Sequence, residues 1–105
     1  MLFQYGNQVL DFCVLAILDN NDSYGYEITQ KILQTIDISE STMYPVLRRL
    51  KKYNHLETYD VPYQGRNRRY YRITDSGKEL LKEYKEDWNV YKSKIDYIIE
   101  EENNE

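Results

Sequence analysis

A chain of 105 residues with 41% hydrophobic content, twelve tyrosines and a net charge of −4 is a single domain with a modest core and an aromatic surface suited to partners. One cysteine and one histidine exclude an internal disulfide and leave a metal centre without a ligand set. The acidity is uneven: residues 1–38 carry one lysine and five acids, residues 39–73 eight basic groups and three acids, and residues 74–105 five basic groups and ten acids, which gives an acidic molecule the local positive footprint that DNA binding requires.

No apolar run nears the roughly eighteen residues of a membrane span, and the start Met1-Leu2-Phe3-Gln4-Tyr5 lacks a basic n-region, so a cytoplasmic protein is expected. The stretch Gln8 to Asp19 is apolar nearly all round apart from Asp11, the pattern of a helix with neighbours on more than one side. Cys13 inside it reads as a small core residue. Asn20 to Ser23 form a polar turn, with Ser23 placed to cap a second helix from Tyr24 that buries Ile28, Ile32, Leu33 and Ile36.

After a break at Asp37 and Ile38, Ser39 is placed as a second cap, and the stretch to Lys52 follows. Met43, Val46, Leu47 and Leu50 recur there at i, i+3, i+4 and i+7, one buried helical stripe. Ser41, Tyr44, Pro45, Arg48, Arg49 and Lys52 then face outward. Hydroxyl and basic groups with no carboxylate among them are donors for phosphate oxygens and guanine edges, so the helix is suited to a DNA groove. The alternative is a solvated basic face. Pro45 deletes the bond to the Ser41 carbonyl, so the first turn is expected to be kinked or loosely wound.

Leu56 to Val61 and Arg68 to Ile73 are rich in β-formers and flank Pro62 to Asn67, which predicts a hairpin carrying Arg66, Arg68, Arg69 and Arg72. A lone hairpin is marginal and must pack on the helices. Three helices and then a hairpin is the order of a winged helix-turn-helix, whose third helix enters the major groove while the hairpin touches the backbone beside it. Thr74 then caps the longest element, with Asp75 favourable at its positive end. Along it Leu81, Tyr84, Trp88, Tyr91, Ile95 and Ile98 fall at alternating steps of three and four, a heptad seam. From Asp75 to Glu102 this helix would run about 42 Å, more than a small domain needs, and a second copy of the chain is the simplest partner for it; the alternative is that most of the seam packs on the Val9 to Leu18 helix of the same or the other chain. The tail Glu100 to Glu105 is expected to fray. The fold class is therefore mainly α with a small β-hairpin: a winged helix-turn-helix over residues 1–74 and a C-terminal dimerisation helix over 75–105, forming one compact unit.

The ordered set Tyr24-Gly25-Tyr26-Glu27-Ile28, then Ser41 to Leu50, then Gly65-Arg66-Asn67-Arg68-Arg69-Tyr70-Tyr71-Arg72-Ile73-Thr74 with Gly77 resembles the PadR-like winged-helix transcriptional regulators, in the short branch with a single C-terminal helix. The resemblance implies a homodimer on a two-fold operator, usually a repressor. It places Ser41, Thr42, Tyr44 and Arg48 at DNA, with Arg49 and Lys52 on the same basic helix, and assigns phosphate contacts in the wing to Arg66, Arg68 and Arg69. Trp88 matches a tryptophan that lines an apolar cavity at the dimer centre in the drug-sensing members, which would make a small aromatic molecule the effector; simple dimer packing is the other role open to it. Compared with those members, Gln34 to Ile38 is short and the tail is acidic. Half-sites about 34 Å apart are the geometric expectation. The rival reading is a winged-helix module for protein contacts without DNA binding. No Ser/His/Asp set, glycine-rich phosphate loop or metal-ligand cluster points to an enzyme, and no cofactor is implied.

Overall fold

The computed structural model describes residues 7–103. The first six residues, with the start Met1 to Tyr5, and the end of the acidic tail therefore lie outside the described residues. The order of elements is α1 (Asn7–Asn20), β1 (Ser23–Tyr24), α2 (Gly25–Leu33), a 3-10 turn (Glu40–Thr42), α3 (Met43–Lys52), β2 (Leu56–Tyr63), β3 (Arg66–Ile73) and α4 (Asp75–Asn103). The three strands form one antiparallel sheet in the order β1-β3-β2. The fold is the expected winged helix with a long final helix, and the hairpin gains a third strand.

One core holds it together. Leu10, Val14, Leu15 and Leu18 of α1 pack with Ile28 and Ile32 of α2, the stripe Met43, Val46, Leu47 and Leu50 of α3, Leu56 and Ile73 of the hairpin, and Leu81 and Tyr84 of α4. The i, i+3, i+4, i+7 spacing thus buries the face it predicted. In α2 the buried stripe is Ile28, Thr29 and Ile32, while Leu33 and Ile36 are half-buried. Cys13 is half-buried against the core, where burial raises its thiol pKa. The outer side of α1, with Phe12, Cys13, Ala16 and Ile17, is only partly covered by its own chain.

The helix ends depart from expectation in an instructive way. Ser23 does not cap α2: it pairs in a strand opposite Tyr71, and its hydroxyl donates to Glu27 Oε1 at 2.6 Å. Ser39 makes no side-chain cap to the backbone; its hydroxyl instead shares hydrogen bonds with Ser41 Oγ at 3.1 Å and Thr42 Oγ1 at 2.9 Å. The loosely wound entry that Pro45 requires is the 3-10 turn, after which Pro45 occupies the third position of α3, where an amide has no partner inside the helix to lose. Thr74 caps α4 as predicted, its Oγ1 accepting from the Gly77 amide at 3.0 Å.

Leaving α3, Asn54 adopts φ 64°, and the His55 and Asn54 amides return to the Leu50 and Lys51 carbonyls at 2.9 and 3.0 Å. This closure spends a left-handed residue to satisfy orphan carbonyls and aim the chain into β2. The predicted six-residue loop shrinks to two: Tyr63 pairs with Arg66, and Gln64 and Gly65 both take positive φ, the type I′ turn that matches strand twist. Pro62 fits inside β2 because β2 is an edge strand.

Candidate nucleic-acid interface

The exposed side of α3 carries Tyr44, Arg48 and Lys52 at steps of four, one line along the helix. Tyr44 is 62% exposed, and the Arg48 guanidinium lies 4.6 Å from its ring centroid. A hydrogen bond to Arg48, and then its charge, lower the Tyr44 phenol below its usual pKa, with Arg69 contributing in the same direction. A more acidic hydroxyl donates more strongly, which suits a phosphate oxygen. Ser41 and Thr42 stand exposed at the N-terminal end of this line, tethered through their hydroxyls to Ser39.

The sheet presents its arginines on both of its faces, since alternate residues of a strand point to opposite sides. Arg69 shares a face with Tyr71 and Ile73, toward the helices, and its carboxylate neighbour is Asp60 at 3.8 Å. With Gly25, Tyr26, Thr29, Glu40, Ser41, Tyr44, Leu47 and Tyr71 it lines a concavity of about 690 Å³ between α2, α3 and β3. Helix and wing do converge there, through Ser41, Tyr44 and Arg69. Tyr26, Tyr71 and Glu40 are members that the sequence reading did not single out as site residues.

Arg66, Arg68 and Arg72 take the opposite face, with Tyr24, Tyr59, Tyr63 and Tyr70. The Arg68 guanidinium is held between two rings, 4.0 Å from the Tyr24 centroid and 3.5 Å from that of Tyr63. Arg72 lies over Tyr59 and is paired with Asp22 at 3.3 Å and Glu57 at 3.5 Å. The wing is thus a cationic edge at Arg66 with a self-paired outer face, and its arginines do not form one strip with α3. Arg49 departs further. Expected on the outward surface of α3, it turns inward and ion-pairs with the buried Asp11 of α1. Burial raises the Asp11 pKa above the usual carboxylate value, an effect that the Arg49 charge and hydrogen bond partly offset.

The seam on α4 is divided as well. Leu81 and Tyr84, 3% and 4% exposed, are consumed by the core of their own chain, whereas Trp88, Tyr91, Ile95 and Ile98 are 36–56% exposed. Trp88 and Tyr91 stack with centroids 6.3 Å apart.

The profile of the transcriptional regulator PadR-like family matches residues 14–83, which run from inside α1 to the first turns of α4. The chain belongs to the PadR-like family of transcriptional regulators. A Streptococcus mutans UA159 protein of known structure is 43% identical and superposes with a TM-score of 0.85 over 95% of this chain and 94% of its own. The PadR-like transcriptional regulator of Bacillus cereus is 32% identical, with a TM-score of 0.80 over 89% of this chain and 93% of its own. Bacillus subtilis PadR, whose structure is a complex with operator DNA, is 26% identical, with a TM-score of 0.64 over 72% of this chain and 46% of that longer one. A Lysinibacillus sphaericus protein is 40% identical over 97 residues, 87% of this chain and 88% of its own. The PadR-like protein described here is accordingly a winged-helix regulator of transcription and not an enzyme. No helix among its described residues is long and apolar enough to cross a membrane.

Proposed function

We propose that this PadR-like regulator is a homodimeric repressor that occupies a two-fold operator. Each protomer sets α3 into a major groove with Tyr44, Arg48 and Lys52 toward the DNA, Ser41 and Thr42 lie at the edge of the groove, and Arg69 and Arg66 of the wing hold phosphates beside it. The observation that carries this reading is the concavity shared by Ser41 and Tyr44 at the head of α3 and Arg69 of β3, because a groove-reading helix and a backbone-gripping wing must face the same duplex. Arg48 supplies base preference, since a guanidinium can bond two acceptors of guanine at once; the wing arginines supply sequence-independent affinity. Bound across a promoter, the dimer excludes the polymerase by occupancy.

A flat aromatic molecule inserted beside Trp88 and Tyr91 between two α4 helices would alter the half-site spacing, and would release DNA to the extent that it bound the two spacings unequally. Footprinting on the DNA upstream of the protein's own gene at two salt concentrations tests the main proposal. Protection of two half-sites about 34 Å apart is expected. Arg48→Ala should cost about 1–3 kcal/mol of discrimination against altered sites, and Arg66→Gln should weaken all sequences alike. Equal loss from both substitutions on specific and random DNA would remove Arg48 from the reading role.

A further inference from the structure

Two neighbouring arginines of α3 have opposite fates. Arg48 lies outward over Tyr44, while Arg49, 100° further round the helix, reaches back to Asp11. Asp11 is the single charged residue in the otherwise apolar middle of α1 and is 6% exposed. Its two carboxylate oxygens are divided between elements: Oδ1 takes the Arg49 guanidinium, and Oδ2 accepts from the Tyr84 hydroxyl of α4 at 3.4 Å. The Arg49 side chain is nevertheless 34% exposed, so it borders the basic surface of α3 while its guanidinium is paired with the buried carboxylate. A carboxylate in a core is costly unless paired and hydrogen-bonded, so the partner that neutralises it is held firmly.

We propose that Asp11 is a positioning residue for DNA recognition, which keeps Arg49 off the phosphates so that α3 meets the groove with Tyr44, Arg48 and Lys52 alone. The proposal rests on the DNA-binding reading of α3 and adds a limit to it. A guanidinium at the flank of the helix, free to swing, would grip any backbone and raise affinity for all sequences equally. Tied to Asp11, it instead fixes the seating of α3 against α1 and α4. The carboxylate thereby trades non-specific affinity for a defined approach angle.

The slope of log affinity against log salt counts phosphates neutralised, about 0.9 per contact on duplex DNA. Anisotropy titrations of a short labelled duplex of arbitrary sequence would compare the wild-type dimer with Asp11→Asn, Asp11→Asn/Arg49→Gln and Asp19→Asn, each first shown to be folded by circular dichroism. Asp11→Asn should steepen the slope by about 0.9 per bound protomer, with affinity for random DNA at low salt rising several-fold. The double substitution should restore the wild-type slope. Asp19→Asn, which removes the same charge from the same helix, should leave it unchanged. An unaltered slope in Asp11→Asn, or an equal steepening in Asp19→Asn, overturns the proposal.

The wild-type protein supplies a readout that does not depend on the variants folding. The Arg49 Nε–H resonance should keep its position and slow exchange when DNA is added, while that of Arg48 moves; a shift of Arg49 as large as that of Arg48 overturns the proposal equally. Failure of the wild-type dimer to bind any duplex would sink the DNA-binding reading itself, a different result from binding with Arg49 engaged.

Discussion

Gly77, in the first turn of α4, shows how one missing methyl group decides packing. A Cβ at this position would overlap the His55 carbonyl oxygen and stand 2.8 Å from Ile73 Cγ1. The obstacle is backbone, and that backbone is already committed, because the Thr74 amide donates to the same His55 oxygen at 3.1 Å. Alanine is favoured over glycine within a helix by about 1 kcal/mol, yet overpacking against fixed atoms costs about 1–3 kcal/mol. The clash should win, and Gly77→Ala is expected to lower the unfolding free energy by about 1–2 kcal/mol in urea titration; an unchanged or higher midpoint would show that α4 can slide away from the hairpin. Tyr84 makes a second test at this scale. Burial, then the charge and hydrogen bond of Asp11, push its phenol up to about 12. The folded state therefore holds this proton after an unfolded chain would release it, so the contribution to stability is full below the ordinary tyrosine value and is lost as pH rises from there to about 12. Tyr84→Phe should flatten the alkaline decline of stability relative to wild type; parallel curves would place the hydroxyl in water. Neither feature could be read from the chain alone. Gly77 stood out only as part of a family motif, and the single acid in the middle of an apolar helix gave no sign of which basic residue, 38 positions later, would answer it.

The elements themselves were largely legible, because each long one carries a period. The stripe of α3, the cap at Thr74 and the extent of α4 follow from spacing and side-chain chemistry that act locally. The strand β1 did not, since two residues hold no periodicity and pair only with Tyr70 and Tyr71 far along the sequence. The division of the wing arginines is legible in their parity: Arg66, Arg68 and Arg72 share one and Arg69 has the other, and a strand sends those to opposite faces. The consequence of that division is mechanical. Tyr24 of β1 meets Tyr70 edge-on at 5.5 Å, Tyr70 stacks on Tyr59 at 5.6 Å, and Arg68 is clasped by Tyr24 and Tyr63. Rings and guanidinium thus tie the start of α2 to the tip of the hairpin, stiffening an element that would be marginal as two strands. Exposed cation–π contacts are worth about 0.5–1 kcal/mol each, so Tyr24→Leu should change global stability little. Amide exchange from Val61 to Arg68 should quicken several-fold, because local opening samples the tip without unfolding the core. Protection unchanged in the variant would mean that the turn alone holds the wing.

The molecule as a whole is too long for its mass. Its radius of gyration is 16.2 Å and its extents are 63 × 27 × 21 Å, whereas a compact chain of this length would have a radius of about 13 Å. The excess is α4, whose side chains from Trp88 to Glu101 are all exposed in one protomer. That half still carries Val90, Tyr91, Ile95, Tyr97, Ile98 and Ile99 among its charges, an apolar load that a solvated helix does not keep without a partner. The seam is thus divided: Leu81 and Tyr84 bind the helix to its own domain, and in the proposed homodimer the later positions, together with the half-covered side of α1, would meet a second copy. If that is the dimer contact, charge placed late in the seam should separate protomers without disturbing the winged domain. Sedimentation of Ile95→Glu/Ile98→Glu is expected to show a monomer where the wild type is a dimer, with the helical signal largely kept. The effect on DNA should exceed the loss of one phosphate contact, because two linked half-sites bind with an effective concentration that two free protomers lack, a factor of about 10²–10⁴. A wild-type protein that is monomeric at the concentrations where it binds DNA, or a variant that binds the two-fold site undiminished, would move the source of affinity back into the single wing and helix.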